Sequence, residues 1–159
     1  MNNQQHVEKQ RILVEVALAT GASLFGYIYA GRGTRVSDVL NDPRLFLPFE
    51  SVDGKTTMHA KTAILQVSEI CNVSHYTTQS DPYYLLGVRR SDEMDVIQRA
   101  FHQQISSCHP DHYLHRNPPQ ALLKVLAEIS QRLNAAYQSI KSERRTLDAD
   151  AEWEEDFPA

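Results

Sequence analysis

Long apolar runs are missing from this chain. No segment approaches the ~20 residues that a bilayer-spanning helix needs, and no membrane partner is expected. The polar start Met1-Asn2-Asn3-Gln4-Gln5-His6, followed by Glu8, Lys9 and Arg11, has neither the apolar core nor the small-residue cleavage site of a secretion signal. Cysteine is scarce. Cys71 and Cys108 are the only two and form no CxxC pair, so neither a disulfide framework nor a zinc ribbon is expected. These absences point to a reducing, cytoplasmic compartment. A basic excess is also missing. Residues 1–80 are neutral, residues 81–145 carry +2 and residues 146–159 carry −6, so the net charge of −4 resides in the tail. A dedicated nucleic-acid binder would carry a basic face, and nucleic acid is not an expected partner. With 42% hydrophobic and 23% charged residues, a collagenous, low-complexity or wholly disordered chain is excluded.

What is present changes character near residue 80. In the first half, Arg11 to Leu18 is rich in β-formers and roughly alternating. Gly21-Ala22-Ser23 breaks it and Leu24 to Tyr29 follows, which predicts a hairpin. Gly31-Arg32-Gly33-Thr34-Arg35 is a loop. Two glycines and two arginines there could cradle an anion, but a strand connection with solvated arginines is the reading adopted. Ser37 is placed to cap one helical turn, ended by Asn41-Asp42-Pro43. Leu45 to Glu50 predicts a strand whose Pro48 suits an edge or a bulge. Asp53-Gly54 marks a turn, and Thr56 to Ile70 supplies one long strand or two short ones, with His59 and Lys61 expected to be exposed. Four or five short strands over about 60 residues suggest a small twisted sheet or a partly closed barrel.

From Asp81 the apolar period becomes helical. Asp81 can cap, Pro82 suits the first helical position, and Gly87 stops the short helix Tyr83-Tyr84-Leu85-Leu86. Ser91 is expected to open a second helix, with Asp92 and Glu93 in its first turn. Its stripe is Met94, Ile97, Phe101, Ile105 and Cys108, and Pro110 ends it. Asn117-Pro118-Pro119 opens a third helix with the stripe Leu122, Leu126, Ile129, Leu133, Ala136 and Ile140. Two amphipathic helices joined by a loop should bury these stripes against each other as an antiparallel pair.

The domains predicted are therefore a small β-rich domain at 1–70, a polar linker at 71–80, a helical domain at 81–147 and an acidic tail at 148–159. The tail holds six acids with Trp153 and Phe157. It could dock in a basic groove; disorder is the reading its composition favours. The fold class is α+β.

Between the two long helices lies Cys108-His109-Pro110-Asp111-His112. Upstream stands Asp81-Pro82-Tyr83-Tyr84-Leu85-Leu86-Gly87-Val88, and downstream Leu133-Asn134-Ala135-Ala136-Tyr137, then Ser142-Glu143-Arg144-Arg145. In motif order and spacing this region resembles the J domain of the DnaJ (Hsp40) family. The first half separately resembles an uncharacterised small bacterial β domain, through Arg35-Val36-Ser37-Asp38-Val39-Leu40-Asn41, Phe46-Leu47-Pro48, Lys61 and Ile64. That likeness brings no activity with it.

The J-domain resemblance implies a co-chaperone that stimulates ATP hydrolysis by an Hsp70 (DnaK-type) partner. His109, Pro110 and Asp111 would be the contact loop, with Arg99, His102 and Gln103 on the neighbouring helix. The β domain would bring it to a client or complex. No glycine/phenylalanine-rich segment and no cysteine-rich zinc region is found, so a specialised rather than a general-purpose co-chaperone is implied. The chain departs from the family in one respect. Residues 91–108 carry Arg99 alone against Asp92, Glu93 and Asp95, where a basic outer face is usual. His102, Gln103, Ser106 and Ser107 stand at usually basic positions, and Gln104 at a usually apolar one. Arg89, Arg90, Arg116 and Lys124 are the basic residues nearby. The expectation is a matched Hsp70, or weak binding to a general one. The alternative is an adaptor whose J fold no longer stimulates Hsp70.

No enzyme, cofactor or metal is expected. His102, Cys108, His109, His112 and His115 are close in sequence, but no second cysteine or carboxylate cluster completes a metal site. A Cys108–His109 dyad is disfavoured because Cys108 falls on the apolar stripe.

Overall fold

The structure, a computed structural model, describes residues 9–72 and 81–154. Five strands, β1 (Lys9–Leu18), β2 (Ser23–Gly31), β3 (Phe46–Ser51), β4 (Thr56–Ala60) and β5 (Ile64–Asn72), form one antiparallel sheet in the order β4-β3-β2-β1-β5. A short helix α1 (Val36–Asn41) joins β2 to β3, and the helices α2 (Pro82–Leu85), α3 (Met94–Cys108) and α4 (Gln120–Glu154) follow. The chain is thus α+β, as expected. None of the described helices is long and apolar enough to cross a membrane.

The β1–β2 hairpin pairs in continuous register from Lys9↔Gly31 to Ala17↔Ser23. β5 pairs with the other side of β1, with irregularities at Leu13/Val14 and at Ala17/Leu18. Thr56 to Ile70 is therefore two strands, separated by a 3-10 turn at Lys61–Ala63. β2 joins β3 through Gly26↔Ser51 and Tyr27↔Glu50. Glycine is required at that seam, because a Cβ on Gly26 would lie 2.2 Å from the Glu50 carbonyl oxygen and 2.5 Å from the Phe49 ring.

The sheet is not closed, which corrects the barrel expectation: among the described residues no ladder joins β4 to β5. It is strongly curled, however. In a flat sheet these edges would stand four strand spacings apart, about 19 Å. Four residue steps from Ala60 to Ile64 reach at most about 14 Å. The 3-10 turn at Lys61–Ala63 brings the end of β4 to the start of β5. The curl wraps one face around an inner cluster of Ile12, Val14, Val16, Ile28, Ala30, Val39, Leu47 and Phe49, against which Ile64 and Val67 of β5 also pack. α1 contributes Val39 to this cluster.

The N-cap of α1 lies two residues before the expected Ser37. Arg35 is its N-cap, and the Asp38 carboxylate accepts the Arg35 backbone N–H at 2.9 Å. Lys61 is not an exposed strand residue. Its Nζ donates to the carbonyls of Val39, Leu40 and Asp42 and to the Asp42 carboxylate, at 2.9–3.0 Å, and so closes the C-terminus of α1. His59 is half-buried, bonded to Thr57 at 2.8 Å and edge-on to Phe49.

The outer face of the sheet meets the helices. Leu13, Phe25, Tyr27, Ile70 and Cys71 belong to the same buried cluster as Leu86, Ile97, Phe101, Cys108, Leu122, Leu126, Leu133 and Ile140. β1 and β2 are thus covered on both sides. That explains why Ile12-Leu13-Val14 and Phe25-Gly26-Tyr27-Ile28 are buried without alternation.

β5 ends at Asn72, two residues into the predicted linker, whose residues 73–80 lie outside the described residues. α4 continues to Glu154, into the stretch read as an acidic tail, of which residues 155–159 lie outside the described residues.

Candidate partner-binding loop

α2 is fixed at both ends as its sequence predicts. The Asp81 carboxylate accepts the Tyr83 N–H at 3.1 Å, Pro82 stands in the first turn, and Gly87 adopts φ +65°. α3 begins at Met94 with Glu93 as its N-cap, three residues later than the Ser91 start expected. The Asp92 carboxylate instead accepts the Arg89 N–H at 2.8 Å.

α3 and α4 run antiparallel, as three contacts along their length show. Ser130 donates to the Cys108 carbonyl at 3.3 Å, Phe101 stacks on Tyr137 at 4.4 Å, and Arg144 donates to the carbonyls of Arg90 and Asp92 at 2.8 Å. All six predicted stripe residues of α4 are buried. On α3, Ile97, Phe101 and Cys108 are buried, with Met94 and Ile105 packed against them. Gln104, polar at an apolar position, donates to the Leu86 carbonyl at 2.8 Å and so closes the end of α2.

The bend between them carries His109-Pro110-Asp111. His109 is extended (φ −73°, ψ 129°), as a residue before proline must be, and a 3-10 turn follows at Pro110–His112. His109 Nδ1 accepts the Asp111 N–H at 3.3 Å and lies 3.6 Å from the Asp111 carboxylate. His112 and Tyr113 donate their N–H groups to the carbonyls of His109 and Pro110, at 3.2 and 3.0 Å. The loop is ordered by its own hydrogen bonds while its functional groups stay outside: the Asp111 side chain is 73% exposed and that of His109 45%.

Arg99, His102 and Gln103 line the adjoining exposed surface of α3. Arg99 also touches the Asp95 carboxylate at 4.0 Å. The surface is weakly charged, as its sequence indicates. Two of the nearby basic residues are engaged in ion pairs within the chain. Arg90 pairs with Asp81 and Glu143 and lies over the Tyr83 ring, and Arg116 pairs with Glu15. On the sheet, Arg44 and Lys61 both pair with Asp42.

Cys108, immediately before the loop, is fully buried. Its thiol and that of Cys71 are hydrogen-bonded, and this bond together with burial raises the Cys71 thiol well above its ordinary pKa. A buried thiol with a raised pKa, such as Cys71, is a poor nucleophile. Among the described residues, no group of three or more His, Cys, Asp or Glu side chains is arranged to hold a metal ion.

Four residues surround the base of the loop, of which the sequence had marked only Arg116, as a nearby basic residue. Phe25 of β2 meets Tyr113 edge-on at 6.2 Å, and Glu15 of β1 pairs with Arg116. Tyr113 also donates its hydroxyl to the Ser107 carbonyl at 3.0 Å, tying the loop back onto α3. The Glu15–Arg116 contact joins positions 101 residues apart, and no local pattern announces it.

Curated relatives are similar to a part of the chain. The chain is 33% identical to the co-chaperone protein DjlA of Photorhabdus laumondii over 67 residues, 42% of this chain and 24% of that protein. It is 33% identical over 63 residues to the protein of that name from Haemophilus influenzae, and 31% over 65 residues to the one from Vibrio cholerae. The chain spans about a quarter of the length of the curated relatives it matches. The likeness relates it to DnaJ-like co-chaperone proteins. No protein-family model matches the chain. No solved structure matches it either.

Proposed function

We propose that this chain is an Hsp70 co-chaperone in which residues 81–147 form a J domain and His109-Pro110-Asp111 engages a DnaK-type Hsp70. The observation that carries this reading is the exposed His-Pro-Asp bend between two antiparallel packed helices. The co-chaperone relatives, similar to about 40% of this chain, also support it.

In this reading Pro110 fixes the backbone and holds the loop in one shape. Asp111 offers its carboxylate to a partner arginine, as a charge-assisted hydrogen bond. His109 orients the Asp111 backbone through Nδ1, and Arg99, His102 and Gln103 extend the contact along α3. The chain does no chemistry of its own and needs no cofactor. It biases a conformational equilibrium in the Hsp70, where ATP is hydrolysed. The sheet serves as a targeting module towards a client, and the setting is cytoplasmic.

The sparse charge of α3 favours a second reading, an adaptor that has kept the J fold without stimulating Hsp70. Single-turnover ATP hydrolysis by the cognate Hsp70 separates the two. The proposal expects the full chain to accelerate hydrolysis and His109→Gln to abolish the acceleration while leaving the melting temperature unchanged. Equal curves for the two proteins would favour the adaptor.

A further inference from the structure

The sheet does more than share a core with the helices. Three of its strands reach the same short stretch, the base of the His-Pro-Asp bend. β5 supplies Cys71, against Cys108. β2 supplies Phe25, against Tyr113. β1 supplies Glu15, against Arg116. Glu15 and Phe25 are direct cross-strand partners, so the ion pair and the aromatic contact stand side by side.

Glu15 is the informative residue. Its side chain is only 12% exposed, on the outer sheet face beside the apolar residues Leu13 and Phe25 that pack with the helices. A carboxylate so far out of water is costly unless it is paired. Arg116 supplies that pairing from the turn that follows the bend, and its own side chain remains 47% exposed. The partner thus comes from the loop region rather than from the sheet, and pairing constrains where that turn can lie. Tyr113 transmits the constraint, since its ring touches Phe25 and its hydroxyl holds the Ser107 carbonyl on the other side of His109-Pro110-Asp111.

We infer that Glu15 and Phe25 are positioning residues for partner binding: through Arg116 and Tyr113, the sheet holds the His109-Pro110-Asp111 bend in its binding geometry without covering it. This rests on the proposed Hsp70 reading and goes beyond it, because the sheet becomes part of the Hsp70-binding apparatus and not solely a targeting module.

The test uses the full chain with Glu15→Arg, Arg116→Glu and the double reversal, and Phe25→Leu as a milder variant of the same contact. Two readouts are needed: the backbone amide resonances of His109 and Asp111 to Tyr113, and affinity for ATP-bound DnaK-type Hsp70. Each single reversal should shift those resonances and weaken Hsp70 binding by roughly three- to ten-fold, the lower part of the range for coupled neighbours. The double reversal should restore both, which loss of general stability would not do. Phe25→Leu should shift the same resonances in a protein that still melts cooperatively. Resonances unmoved by Glu15→Arg and by Phe25→Leu, or a loss that the double reversal leaves in place, would overturn the inference. Should His109→Gln bind Hsp70 as well as the parent chain, the Hsp70 reading fails and the affinity arm of this inference with it. The amide result then still decides whether the sheet sets the shape of the bend.

Discussion

The inner and outer clusters of the sheet differ in what they join. The inner one is local to the first half of the chain: β1, β2, β3 and β5 curl around it and α1 closes it. The outer one is shared, with Leu13, Phe25, Tyr27, Ile70 and Cys71 packed into the same apolar mass as the stripes of α3 and α4. The inner face is purely apolar in its buried core. The outer one also carries the paired charges Glu15–Arg116 and Arg11–Glu50. A surface that must hold a second element in one orientation gains from a directional contact, whereas a closed interior is specified by shape alone. The two halves of the sequence are therefore not independent in energy, although their composition and periodicity differ sharply.

The largest effect should come from cutting into each cluster in turn. Leu13→Ala and Leu47→Ala each remove a fully buried leucine and should cost about 2–5 kcal/mol. Their distribution should differ. By amide hydrogen exchange, Leu13→Ala should lower protection in α3 and α4 as well as in β1. Leu47→Ala should lower it mainly in the sheet. Helical protection that is indifferent to Leu13→Ala would break the distinction between a shared and a private cluster.

Next comes the narrow β2–β3 seam. Gly26→Ala places a methyl group against the Glu50 carbonyl and the Phe49 ring. The backbone atom cannot rotate away, so destabilisation of about 1–3 kcal/mol is expected in thermal or urea unfolding. Since Phe49 belongs to the inner cluster, the exchange pattern should follow that of Leu47→Ala.

The smallest effect should be that of acid on α1. Hydrogen bonds from Arg44, and then from Lys61, hold the Asp42 carboxyl below its usual value of 3.8. A depressed folded pKa means that the contribution is complete above the unfolded value and is lost as pH falls below 3.8 towards the folded one. Asp42→Asn should flatten that part of the stability-against-pH curve. An unchanged curve would show that this exposed pair contributes nothing measurable.

The helical half was largely legible in the sequence because its information is local. The stripes of α3 and α4 repeat every three or four residues, and Asp81, Pro82 and Gly87 mark α2 within a few positions. Helix starts were less so: Arg35 and Glu93 take the N-cap positions in place of Ser37 and Ser91. The β1–β2 hairpin was readable from its turn. The pairing of β5 with β1 was not, because its partners are some fifty residues apart along the chain. The loss of alternation in β1 and β2 has the same origin, since a strand's pattern depends on what covers both of its faces. Of the candidate site, the His-Pro-Asp bend was visible, and so was the weak charge beside it. The residues that brace it were not. Glu15 and Arg116 are ordinary charged residues in sequence, and their meaning comes only from being brought together.

The most direct test is to map the contact on the full chain by amide resonance perturbation as ATP-bound DnaK-type Hsp70 is added. The account predicts that the perturbed residues centre on His109 and Asp111 and extend along α3 through Arg99, His102 and Gln103, with the β3–β4 side of the sheet unaffected. Perturbation centred on the sheet, with the bend and α3 silent at saturating Hsp70, would contradict it.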